Sequence, residues 1–129
     1  MILLDTHVLA WASENPNRLS RAASSEIRRA RRGSGLAISA ITLWELSWQI
    51  SRGRIQAGGT IEATVQKMVE GVTILPITPE IAALATQFPD DYPRDPADRI
   101  IGATARAGGM TLVTRDERIR KSPLIWTVW

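Results

Sequence analysis

The 129 residues, 44% hydrophobic and 22% charged, suffice for one domain with a substantial core and lie far from a disordered composition. No cysteine is present, which excludes disulfides, thiolate metal sites and a thiol nucleophile, while a net charge of +3 is too small to diagnose a polyanionic partner. The longest uncharged apolar stretch, Leu36 to Trp44, is about half a membrane span, and an apolar strand at the very start leaves no room for a signal peptide, so a cytoplasmic protein without membrane contact is expected.

In chain order, Ile2 to Leu4 reads as a short buried strand, and Thr6 to Ser13 as a helix with Val8, Leu9 and Ala12 turned inward. Glu14 to Asn17 breaks it. Ser20 then caps a helix to about Arg32, whose terminal Arg28, Arg29, Arg31 and Arg32 complement the helix dipole before Gly33 and read as a solvated helix end. Leu36 to Ser39 is a second strand, and a helix follows from about Ala40 to Arg52. Thr60 caps another, Ile61 to Glu70, and the two form an apolar hairpin carrying Trp44 and Trp48.

Val72 to Leu75 is the third strand. Thr78, Pro79 and Glu80 start a helix through Gln87, and Phe88 to Pro93 reads as a polar, proline-bounded loop. Asp95 and Pro96 open a helix to Ala107 that stops at Gly108 and Gly109. Thr111 to Thr114 is the fourth strand, Arg115 to Lys121 a short helix, and Ile125 to Val128 the fifth strand. Buried strands alternating with helices predict an α/β fold, a three-layer α/β/α sandwich around a central, mostly parallel five-stranded sheet in one domain, residues 1–129. Such sheets bind ligands beyond the carboxyl ends of their strands, where the strand order reverses; the first strand is usually central, so Asp5 is expected at that crevice.

Four well-separated acids follow strands or lie just beyond them: Asp5, Glu45, Asp98 and Asp116. Asp5 and Asp116 each close a strand and open a helix, so helix capping explains each alone. Capping does not explain why both fall at the carboxyl ends of strands expected to be central. Glu45 is the only charge between Arg32 and Arg52, and an ionised carboxylate in such surroundings requires a cation or hydrogen-bond donors. Asp95, before Pro96, is the natural cap of its helix, which leaves Asp98 in the first turn to point back into the crevice. Oxygen ligands with no cysteine and a single histidine suit Mg²⁺ or Mn²⁺ over zinc. Without an ion, the clustered acids would repel each other and any nucleic-acid backbone.

These segments resemble the PIN domain, specifically the VapC-type toxins of bacterial and archaeal toxin–antitoxin pairs. The likeness rests on Leu4 to Leu9, on Ser39 to Leu46, on Asp95 to Ala105 and on Leu112 to Arg118, in order along the whole chain. It implies a Mg²⁺- or Mn²⁺-dependent endoribonuclease in which Asp5, Glu45, Asp98 and Asp116 form the acidic quartet. Asp5, Asp98 and Asp116 would bind metal, and Glu45 would be a ligand or a water-positioning base. Thr6 and Thr114 match hydroxyl positions that orient the acids, with Asp95 behind them. His7 stands where relatives often carry asparagine, as a neutral polar group rather than a catalytic base. The likeness further implies a homodimer and a cognate antitoxin whose tail enters the acidic groove, with the Trp44/Trp48 hairpin as docking surface.

Trp11, Trp44, Trp48, Trp126 and Trp129 are expected to pack in the core or an interface rather than stack on RNA bases. Two other strand–Asp families fit less well: a phosphoaspartyl phosphatase needs an acid at position 7, and a receiver domain needs an acid pair after its first strand. A non-catalytic module acting through antitoxin or RNA binding, and a DNA-directed nuclease, remain as alternatives.

Overall fold

Every strand pairing in the central sheet is parallel, and the strand order is β3-β2-β1-β4-β5. The computed structural model describes all 129 residues. The strands are β1 (Ile2–Leu4), β2 (Leu36–Ser39), β3 (Val72–Leu75), β4 (Leu112–Val113) and β5 (Thr127–Val128). The helices are α1 (Thr6–Glu14), α2 (Arg21–Arg32), α3 (Ala40–Ser51), α4 (Ile61–Met68), α5 (Pro79–Ala85), α6 (Pro96–Gly108) and α7 (Glu117–Arg120). The chain steps outward from β1 to β2 and β3, then returns to the other flank for β4 and β5. The order therefore reverses between β1 and β4.

Alternation along each strand divides the core between two faces. Ile2, Leu4, Leu36, Ile38 and Val113 point to the side covered by α1 to α4, where they meet Val8, Leu9, Ile27, Leu46, Ile50 and Val65. Leu3, Ala37 and Leu112 point to the other side, against Ile81, Ile101, Ala105 and Ile119 from α5, α6 and α7. Three layers result, as the sequence predicts. No helix is long and apolar enough to cross a membrane.

The expected parallel sheet is present, and every one of its pairings is parallel. Several expectations need correction. β3 is not buried: as an edge strand it leaves Thr73 and Ile74 exposed. The fourth helix stops at Met68, two residues short of Glu70, and the fifth strand begins only at Thr127, although Ile125 is buried. The segment Phe88 to Pro93 is not simply a polar loop. Phe88 and Tyr92 are buried, with stacked rings 4.1 Å apart. They fit because Gly102 of α6 has no side chain: a Cβ there would collide with the Tyr92 hydroxyl and press on Ile125 and Phe88. Among the tryptophans, Trp44, Trp48 and Trp126 are 58%, 43% and 72% exposed, which excludes a core role for all three.

Candidate functional site: a carboxylate crevice at the strand ends

Sheet register brings the first two residues of the site together. Leu4 of β1 lies beside Val113 of β4, so the next residues, Asp5 and Thr114, leave the sheet side by side. The Thr114 hydroxyl donates to Asp5 Oδ2 at 2.7 Å and accepts from the Asp116 amide at 3.1 Å. Asp5 Oδ1 accepts from the Thr6 amide at 2.9 Å. Asp5 is only 4% exposed, the one buried acid of the chain, and both its oxygens are held by donors. Burial of a carboxylate is tolerable on those terms.

Thr6 links the other way. Its hydroxyl donates to Glu45 Oε1 at 2.5 Å and lies 3.0 Å from the Thr42 hydroxyl. With its single proton committed to Glu45, Thr6 must accept from Thr42. A short chain therefore runs from Thr42 through Thr6 to Glu45, bringing α3 against the start of α1. Glu45 has its pKa raised, chiefly by burial and further by Asp5 and Asp95, against the lowering effect of the Thr6 hydrogen bond.

Capping and crevice roles coexist. Asp5 caps α1 through the Thr6 amide, and Asp116 Oδ1 caps α7 by accepting from Arg118 and Ile119 at 2.9 and 3.4 Å. Asp116 Oδ2 has only a loose approach to Arg118, at 3.9 Å. Asp95 Oδ1 caps α6, accepting from the amides of Ala97 at 2.8 Å and Asp98 at 3.3 Å. Asp98 stands apart: its hydrogen bonds involve only its backbone, including a long one from the Tyr92 hydroxyl to its carbonyl at 3.4 Å. Its carboxyl is pushed up to about 7, first by burial and then by the charges of Asp5, Asp95, Glu45 and Asp116. The same neighbourhood, with burial leading, raises the Tyr92 hydroxyl as well.

His7 Nε2 accepts from the Arg115 amide at 3.1 Å, so the neutral ring carries its proton on Nδ1, 3.6 Å from Asp5 Oδ2. Burial lowers its pKa and outweighs the opposing charges of Asp5 and Asp116. The imidazole thus ties the end of β1 to the loop after β4. With Nε2 engaged, it is a poor general base.

No three of the His, Asp and Glu side chains stand within one coordination sphere as placed. They are near enough to act on one another's charge without closing a cage, yet the donor set fits a hard divalent ion. Mg²⁺ typically keeps several waters and takes only one or two carboxylates directly. Asp98, without donors and pushed upward by burial and then by four acids, is the group that an ion would satisfy.

Sequence reasoning missed three parts of the support. Thr42 has no motif of its own. Tyr92 belongs to a loop that reads as polar. The Arg99 guanidinium donates to the carbonyls of Pro93, Phe88 and Pro89 at 2.9, 3.0 and 3.3 Å, clamping that loop beside Asp98. Its place directly after Asp98 is the only signal. On the outer face of α3, the Trp44 and Trp48 rings stack 5.7 Å apart, and Arg52 lies 4.2 Å over Trp48.

Known proteins resemble this chain in sequence and in fold. The family profile of the PIN domain matches residues 2–123. Ribonuclease VapC22 of Mycobacterium tuberculosis is 44% identical over 130 residues, spanning 99% of this chain and 98% of that protein. Among solved structures, VapBC2 from Rickettsia felis, bound to a DNA fragment from its promoter, superposes with a TM-score of 0.77 at 17% identity, covering 99% of this chain and 98% of that one. VapC20 of Mycobacterium tuberculosis, a Sarcin-Ricin loop cleaving toxin, gives 0.67 at 15% identity with 97% of each chain covered. At those identities the structural matches bear on the fold alone.

Proposed function

The chain belongs to the PIN-domain family, and from that premise we propose that it is a metal-dependent endoribonuclease, the toxin of a toxin–antitoxin pair, held inactive by a cognate antitoxin. One observation carries the reading: Asp5, Glu45 and Asp116 are linked through Thr6 and Thr114 at the β1/β4 reversal point, with Asp98 facing them from α6. A relative of near-identical length that is 44% identical bears the name ribonuclease.

Asp5, Asp98 and Asp116 would hold Mg²⁺ or Mn²⁺, which when bound lowers the pKa of water and neutralises charge developing at phosphorus. The protein's own contribution is positional. Thr114 fixes Asp5 and the Asp116 amide together, and the Thr42–Thr6 chain aims Glu45, whose raised pKa suits a group that orients water and accepts its proton.

Relatives crystallised as VapBC pairs support the antitoxin as partner. The stacked, exposed Trp44 and Trp48 are the surface we assign to it, and a homodimer is the assembly we expect. Sequencing RNA 5′ and 3′ ends after expression tests the reading, with Asp5→Asn as control. New ends at defined positions with the wild type and none with the variant are expected. Identical end profiles, or ends in DNA alone, would overturn it.

A further inference from the structure

The crevice has an electrostatic problem that its own residues do not solve. Four carboxylates and one doubly charged ion remain net negative, so an RNA strand must be gripped by cations nearby. An open hollow of about 580 Å³ is lined by His7, Trp11, Arg115, Asp116, Glu117, Arg120 and Trp129. Trp11, in its lining, carries two guanidinium groups. Arg18 sits over the indole at 4.3 Å from the ring centroid and Arg115 at 5.8 Å, both within cation–π range. The His7 ring meets Trp11 edge-on at 4.9 Å, and Trp129 lies against it at 5.9 Å.

Neither Arg18 nor Arg115 has a carboxylate within ion-pair distance, although Asp116 and Glu117 border the same hollow. Both side chains are exposed, with unspent N–H donors held in place by an aromatic ring. An arginine restrained on one side and free on the other is preorganised for a phosphate. The Arg115 amide is itself fixed by His7, which faces Asp5, so this arginine is tied to the acidic crevice.

We propose that Trp11, Arg18 and Arg115 form a phosphate-binding lip that holds the RNA strand beside the bond being cut. The proposal rests on the ribonuclease reading. Trp11 acts as a post: it holds the two guanidinium groups and leaves base stacking aside, because arginines occupy its surroundings. Arg120, on the far wall of the hollow, extends the track away from the crevice.

The test uses the full chain and a single-stranded oligoribonucleotide that the wild type cuts, with binding measured separately in the Asp5→Asn background. Arg18→Ala/Arg115→Ala should raise KM about ten-fold or more while kcat stays within about two-fold, and should reduce the slope of log affinity against log salt by about 1.4, near 0.7 for each phosphate no longer neutralised. Trp11→Leu keeps both charges, so it should raise KM with the salt slope unchanged, whereas Trp11→Phe should restore most of the affinity. Circular dichroism and thermal melts accompany each variant, and Arg18→Lys/Arg115→Lys provides a folded control that keeps the charge.

Unchanged KM and salt slope in the double alanine variant, with the wild type cutting normally, overturn the lip and leave the ribonuclease reading intact. A wild type that neither cuts nor binds the oligonucleotide overturns both. If RNA affinity is unaffected but binding of a polyglutamate peptide is lost, the hollow serves a protein ligand and the RNA assignment is wrong.

Discussion

Asp5 and Asp98 face the same crevice and are treated in opposite ways. Asp5 is nearly sealed, yet the Thr6 amide and the Thr114 hydroxyl satisfy both its oxygens. Asp98 is more open, but its carboxylate has no donor, and burial with four neighbouring acids pushes it up to about 7. The deeper carboxylate has donors on both oxygens and the shallower one has none. The β1/β4 side of the crevice is stabilised by the protein itself. On the proposed reading, the α6 side is the one that an ion would complete.

The largest effect should come from the protein-held side. Asp5→Asn keeps the shape but loses the charge, and Thr114 can turn its hydroxyl to suit the amide. RNA cleavage should fall by at least about 10²–10³-fold with the melting profile little changed, read by an oligonucleotide assay and circular dichroism. Substantial residual cleavage in a folded Asp5→Asn protein would break the contrast at once.

Thr114→Val comes next. It removes the hydroxyl that joins Asp5 to the Asp116 amide, stranding a buried carboxylate oxygen. Stability should drop by about 1–3 kcal/mol and cleavage by roughly 10–100-fold. Gly102→Ala probes the opposite side through packing. Its methyl would meet the Tyr92 hydroxyl, Ile125 and Phe88, and the stacked aromatic pair cannot easily retreat. A loss of about 1–3 kcal/mol in urea unfolding is expected. The smallest effect on stability should be Asp95→Ala, which removes the cap of α6 together with one charge that raises Asp98 and Glu45, and should cost about 1 kcal/mol.

The sequence made much of this legible. Strands, caps and the central place of β1 follow from apolar runs and punctuation, and four acids stand out because strand ends place them. What it hides depends on pairings between distant residues. Nothing near Thr6 indicates that Thr42 and Glu45, 36 and 39 residues away, will complete its hydrogen bonds. Nor does anything near His7 announce the Arg115 amide, 108 residues on. The loop at 88–93 reads as polar because Asp90, Asp91 and the prolines outnumber the two aromatics. Yet Phe88 and Tyr92 point inward, where Gly102 leaves room and Arg99 ties the backbone down. Helical spacing suggests that Trp44 and Trp48 pack in the core or an interface, but a four-residue interval marks one face without saying which way it turns.

The raised pKa of Asp98 also fixes the sense of a pH dependence. The native protein binds a proton there that the unfolded chain, with an ordinary value near 3.8, has already lost. Its contribution to stability is therefore complete at low pH and lost as pH rises through about 7. Metal-free protein should melt higher at pH 5.5 than at pH 8 as far as this group governs, and Mg²⁺ should restore the loss at pH 8. Asp98→Asn should flatten both responses.

The most direct test is an NMR titration of the Asp98 carboxyl carbon in the full-length protein, without Mg²⁺ and with it. The account predicts a midpoint near 7 in the metal-free protein, moving down by at least about one unit when the ion binds. A midpoint near 4 without metal, or one that Mg²⁺ leaves where it was, would contradict the claim that this side of the crevice is built for an ion.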